Sequence, residues 1–141
     1  MQPHPHTAPT SQKMLWTGRV LSALPILFLL FDAVAKLIKP VPVVQATVQL
    51  GYPESVITGL GIVLLACTIL YAIPRTSVLG AILLTGYLGG ATATHVRVGA
   101  GLFPILFPGL LGVLIWGGLY LRDERLRALI PWRGDAVREI A

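Results

Sequence analysis

This 141-residue chain has a single cysteine and little charge. Its single cysteine, Cys67, has no intrachain partner, which excludes internal disulfides, a Cys-x-x-Cys redox pair and a cysteine-built metal site. Only 12% of the residues are charged against 55% hydrophobic, too few to alternate with the apolar positions at helical or strand period as a water-soluble core requires. A closed membrane barrel is excluded as well, because Ile62-Val63-Leu64-Leu65-Ala66 and Ala81-Ile82-Leu83-Leu84 offer no alternating polar-in positions.

What is present instead is four apolar stretches, residues 15–37, 55–73, 77–96 and 103–121, each about long enough to cross a bilayer as a helix. Hydrocarbon offers no partner to a free peptide group, so the spans must be helices. The predicted fold is all-α: an integral membrane four-helix bundle, up-down-up-down, over residues 14–122. Orientation follows from where the basic residues fall. With both termini inside, the inner face holds Lys13, Arg19, Arg75, Arg122, Arg125, Arg127, Arg133 and Arg138, and the outer face only Lys36, Lys39 and Arg97. The positive-inside rule therefore favours N-in, C-in. Attraction to anionic headgroups accounts for these arginines, and no nucleic-acid partner is expected, since aromatic residues are not interleaved with them beyond Trp132.

Residues 1–13 are polar and proline-rich and read as a disordered cytoplasmic tail; His4 and His6 there are too loosely held for a metal site, and no metal is expected. Pro25 is expected to kink the first helix. A signal peptide is the competing reading of that helix, with Lys13 and Arg19 as basic flank, Val20 to Phe31 as apolar run and Ala33-Val34-Ala35 as cleavage site. The segment of about 42–50 is too short to cross and reads as an outer interfacial helix stopped by Gly51. Residues 123–141 form a basic amphipathic cytoplasmic tail, in which the fourth helix continues to Pro131 with Leu126, Leu129 and Ile130 resting on the bilayer.

Small residues recur at helical spacing, Gly86 and Gly90 in the third span and Gly109 and Gly112 in the fourth. Such faces let backbones approach closely in lipid, and they predict tight packing within the bundle, with a homo-oligomer contact as the alternative.

The few ionisable residues within the spans gather at one end. Asp32 and Lys36, four apart, face the same way and can pair; Glu54 opens the second span at that level, and His95 and Arg97 close the third. Two readings stand. Lys36, Lys39, Glu54 and Arg97 are interface anchors that snorkel to water, with Asp32 neutralised by Lys36; or a polar pocket opens outward between the first three spans, with Asp32 and Lys36 as a charge pair, His95 as a proton acceptor or hydrogen-bond donor, and Arg97 as an anion contact. A short acidic side chain about one turn inside the interface cannot snorkel far, which favours the pocket.

The patterns Phe31-Asp32-x-x-x-Lys36-Leu37, Leu50-Gly51-Tyr52-Pro53-Glu54, Tyr71-x-Ile73-Pro74-Arg75-Thr76 and Thr85-Gly86-Tyr87-x-Gly89-Gly90-Ala91-x-Ala93-Thr94-His95-x-Arg97 resemble the DoxX-like family of small bacterial membrane proteins over residues 14–122. The resemblance implies a multi-pass protein of the bacterial cytoplasmic (inner) membrane and, through the family's namesake subunit of a thiosulfate:quinone oxidoreductase, a redox setting. The chain has no haem ligand set and no flavin fingerprint, so no cofactor is expected in its own right; a quinone contact at His95 is the one the resemblance leaves open, and redox work would need a membrane partner. The leading expectation is a non-enzymatic component that binds an amphipathic small molecule or a partner subunit through the outer polar cluster. An accessory subunit of a quinone-linked oxidoreductase is the second, and a small transporter the third, disfavoured because no span carries a midplane charge or a broken helix pair.

Overall fold

A computed structural model describes residues 11–130. The tail histidines His4 and His6, and Pro131 to Ala141 with Trp132, Arg133 and Arg138, lie outside the described residues, and so does most of what was expected of the two tails.

The described chain is helical throughout, with no strand. Helix α1 runs Gln12–Ile38, the short α2 Val41–Gln49, α3 Ile57–Ala72 after a single 3-10 turn at Glu54–Val56, α4 Ser77–Arg97, α5 Leu102–Arg122, and α6 Glu124–Leu129. Four segments, α1, Glu54–Ala72, α4 and α5, are long and apolar enough to span a membrane, and their limits fall within three residues of those expected. Large apolar side chains such as Leu27, Phe31, Leu102, Phe103 and Val113 cover the outside of the bundle, as suits a protein solvated by lipid. The polypeptide is an integral membrane protein.

The turns are built by local chemistry. Gly51 (φ 86°) and Gly99 (φ 65°) adopt the left-handed backbone that side chains disfavour. Each closes a helix with a paired motif: Gly51 and Tyr52 donate to Val48 and Thr47 behind α2, and Gly99 and Ala100 donate to Val96 and His95 behind α4. Helix α1 continues through Pro25, which is buried, and ends with Lys39 in the left-handed region before Pro40. At the α3–α4 turn, Thr76 Oγ1 donates to Leu70 O at 2.8 Å and Ser77 Oγ to Pro74 O at 3.0 Å, so hydroxyls satisfy the carbonyls that the ending helix frees.

The spans form a ring in which α1 packs on α3 and α5, and α4 packs on α3 and α5. Contacts at both ends show α1 antiparallel to its neighbours: Gly61 of α3 lies against Ala33, Lys36 and Leu37, whereas Tyr71 meets Ser22, and Gly18 meets Gly118 of α5. Leu29, Ala33, Leu64, Tyr71, Ala81, Leu84, Ile115 and Leu119 fill the centre. Tyr71 is the pin of this core. Fully buried, its hydroxyl donates to the Ile115 carbonyl at 2.8 Å and lies 3.1 Å from Ser22 Oγ, tying three spans at one point. The Arg122 guanidinium lies 5.3 Å over the Tyr71 ring, with Nε and Nη2 buried, rather than splayed toward headgroups.

Close packing occurs at glycines, but not at those whose spacing suggested it. A Cβ added at Gly86, Gly90, Gly109 or Gly112 would meet nothing within 4 Å outside its own helix turn. The tight approaches are at Gly18, Gly61, Gly80 and Gly118, where a Cβ would strike the neighbouring helix; at Gly80 it would fall into the backbone of Leu70 and Tyr71. The physical reason is position on the ring: these four face a partner helix across its seam, whereas Gly86 and Gly90 line a cavity and Gly109 and Gly112 an outer groove.

The end of α5 departs from the expected continuous helix. Asp123 is extended (φ −114°, ψ 108°) and its carboxylate accepts from the backbone N–H groups of Arg125 and Leu126, so it caps a new helix, α6. Leu126 is buried, while Leu129 and Ile130 are exposed. Arg127 Nη1 reaches back to the Leu121 carbonyl at 3.0 Å, fastening α6 beneath α5.

Candidate functional site

At the end of the bundle opposite α6, the helices part around a cavity of about 470 Å³. Its walls are α1 (Phe28, Asp32, Lys36), α4 (Tyr87, Ala91, His95) and α5 (Phe107, Pro108, Leu111), and α2 contributes Val43, Ala46 and Thr47. Gly86 and Gly90 make room for it, since the space that side chains there would fill is left open. The short helix expected to rest on the membrane surface thus turns one face onto the cavity. Pro40 starts it, Gly51 stops it, and its Thr47, buried, bonds back to Val43 O at 2.8 Å, so no polar group is left bare on that face.

Asp32 and Lys36 form the expected ion pair at 2.5 Å, their side chains 34% and 16% exposed. One helical turn separates them, and both line the cavity. His95 lines it from α4, with Nδ1 2.8 Å from the Ala91 carbonyl one turn back. No hydrogen bond joins His95 to the Asp32–Lys36 pair among the described residues, so the cavity holds two separate polar centres.

The remaining cluster members stand elsewhere. Glu54 is exposed on the 3-10 turn and is not in the lining. Arg97 is exposed too, and its Nη2 donates to the Leu50 carbonyl at 2.6 Å. It therefore secures the end of α2 to α4 and stands outside the cavity lining. A side chain at Gly51 would strike this guanidinium, so the turn and the clasp fit together. The fourth span, expected only to pack, supplies Phe107, Pro108 and Leu111, so the pocket does not lie between the first three spans alone.

Sequence reasoning passed over the aromatic lining. Phe28 and Phe107 meet edge-on with centroids 5.1 Å apart, closing the apolar side. Tyr52 OH is 2.8 Å from Thr94 Oγ1, which bonds in turn to Gly90 O at 2.9 Å. Tyr52 sits in the turn after α2 and so joins that element to α4. Tyr87, four residues beyond Leu83 in an apolar span, was legible as a polar tip at membrane depth; Tyr52 was hidden because a turn tyrosine has no helical period.

The family question is settled by a match over most of this frame. A family model described as the DoxX-like family matches residues 20–118, from the middle of α1 to near the end of α5. The chain belongs to the DoxX-like family. No curated protein and no solved structure matches it. The matched region of this DoxX-like protein contains every residue named above as lining the cavity, whereas α6 lies outside it.

A second, shallower groove of about 380 Å³ lies between α4 and α5, lined by Gly89, Thr92, Gly109, Gly112 and Trp116. Trp116 Nε1 donates to Thr85 Oγ1 at 2.8 Å at its edge, leaving no indole N–H toward lipid. Chemically it is an apolar furrow.

Proposed function

We propose that this DoxX-like protein is a non-enzymatic, multi-pass component of the bacterial cytoplasmic membrane, N-in and C-in, that binds an amphipathic small molecule in the cavity beside α2. The cavity itself carries this reading. Its volume is in the range typical of small-ligand sites, its walls are mainly apolar and aromatic, and a few polar groups, Asp32, Lys36, Tyr87 and His95, converge on it. A half-buried ion pair kept only as an anchor needs no cavity beside it. The N-in orientation puts the α2 end at the outer leaflet, where an amphipath can enter from the bilayer.

A second reading is an accessory subunit of a quinone-linked oxidoreductase. His95 at an aromatic-walled cavity favours it, because an imidazole is a suitable hydrogen-bond partner for a quinone oxygen. In that case the redox centre belongs to a partner subunit.

Native mass spectrometry of the protein extracted from its own membrane separates these. A bound small molecule without other polypeptides supports the first reading; co-purified quinone with a redox-active subunit, whose activity falls when His95 is changed, supports the second. An empty, solitary chain contradicts both.

A further inference from the structure

Around His95 and Tyr52 the hydrogen-bonding capacity of the cavity is mainly that of acceptors. The Ala91 carbonyl can only accept, so the 2.8 Å contact puts the hydrogen of a neutral His95 on Nδ1 and leaves Nε2 a bare acceptor. Thr94 gives its hydroxyl hydrogen to Gly90 O, so in the bond between Tyr52 and Thr94 it is Tyr52 that donates. Tyr52 then has only lone pairs left for an occupant. Asp32 adds a carboxylate oxygen, its Oδ1 being engaged by Lys36. The donors in the lining are the Tyr87 hydroxyl and Lys36 Nζ, which gives one of its three hydrogens to Asp32; neither satisfies the acceptors His95 Nε2 and Tyr52 Oη. An occupant with no hydrogen to give would desolvate His95 Nε2 and the Tyr52 oxygen without replacing their water.

We infer that the cavity selects an amphipath whose polar end is a hydrogen-bond-donating hydroxyl, a phenol or an alcohol, with His95 Nε2 as its acceptor and the Phe28–Phe107 side holding the apolar body. This rests on the ligand-pocket reading and narrows it to a chemical class. An ether of the same shape leaves His95 Nε2 unsatisfied and is discriminated against.

The test compares para-hexylphenol with its methyl ether, measured as saturable binding to the full chain in phosphatidylcholine nanodiscs and corrected against empty discs. The phenol is expected to bind about tenfold more tightly, the equivalent of one net hydrogen bond to a buried acceptor. The change His95→Phe is expected to erase that preference while the ether still binds. Equal affinities on the native chain overturn the hydroxyl assignment and leave the pocket standing; a preference that survives His95→Phe overturns the role given to His95. Absence of saturable binding by either compound overturns the pocket reading and this inference together. The native-chain comparison decides the matter even if the variant does not fold.

Discussion

At the residue scale, two kinds of glycine have opposite consequences. A Cβ at Gly118 would lie 2.5 Å from Ser22 Oγ and 2.8 Å from Ser22 N, so Gly118→Val forces α1 and α5 apart. It is expected to cost about 1–3 kcal/mol, read as a lower unfolding midpoint in detergent. A Cβ at Gly86 or Gly90 meets open space beside the cavity, and leucine is the better helix former, so Gly86→Leu and Gly90→Leu are expected to keep or raise stability while filling the cavity. The sequence could not sort these sets, because small residues four apart occur both where helices touch and where they part. The Asp32–Lys36 pair, by contrast, was legible from its spacing alone. In a double-mutant cycle, Asp32→Asn and Lys36→Met are expected to be non-additive by about 0.5–3 kcal/mol in stability, since each removes the other's partner; strict additivity would show that the pair does not interact.

At the scale of elements, α2 and α6 are short, are tied to their neighbours by few polar contacts and are the places to perturb. Arg97→Gln removes the donor to Leu50 O and is expected to raise hydrogen exchange in Val41–Gln49 without moving exchange in α3 or α5. Asp123→Ala removes the cap of α6 and is expected to cost that helix about 1 kcal/mol, seen as faster exchange at Arg125 and Leu126. Span limits were legible because apolar length and flanking charge determine them. The break at Asp123 was not: a capping aspartate and an ordinary surface aspartate look alike until the backbone around them is known. The role of α2 was half legible. Its stop is written in Gly51 and its start near Pro42, one residue past the observed Val41, but which way its apolar stripe turns depends on contacts of Arg97 and Tyr52 with residues distant along the chain.

At the scale of the whole molecule, the ring of four spans is closed by Tyr71 and the seams at Gly18, Gly80 and Gly118 at one end and opened by Gly86 and Gly90 at the other, where only the Gly61 seam against α1 stays tight. The closest packing and the space are thereby largely separated along the bundle. Orientation is checked by a single reporter cysteine at Ala100 in a chain whose Cys67 is replaced by alanine: labelling from outside is expected, and labelling from the cytoplasmic side alone would reverse the bundle. Occupation of the cavity in the membrane is decided by native mass spectrometry of the native chain and Gly90→Leu, each extracted from the cells that made it. A small-molecule adduct on the native chain, lost from an equally stable Gly90→Leu, is the expected result; the same adduct on both, or on neither, would contradict it.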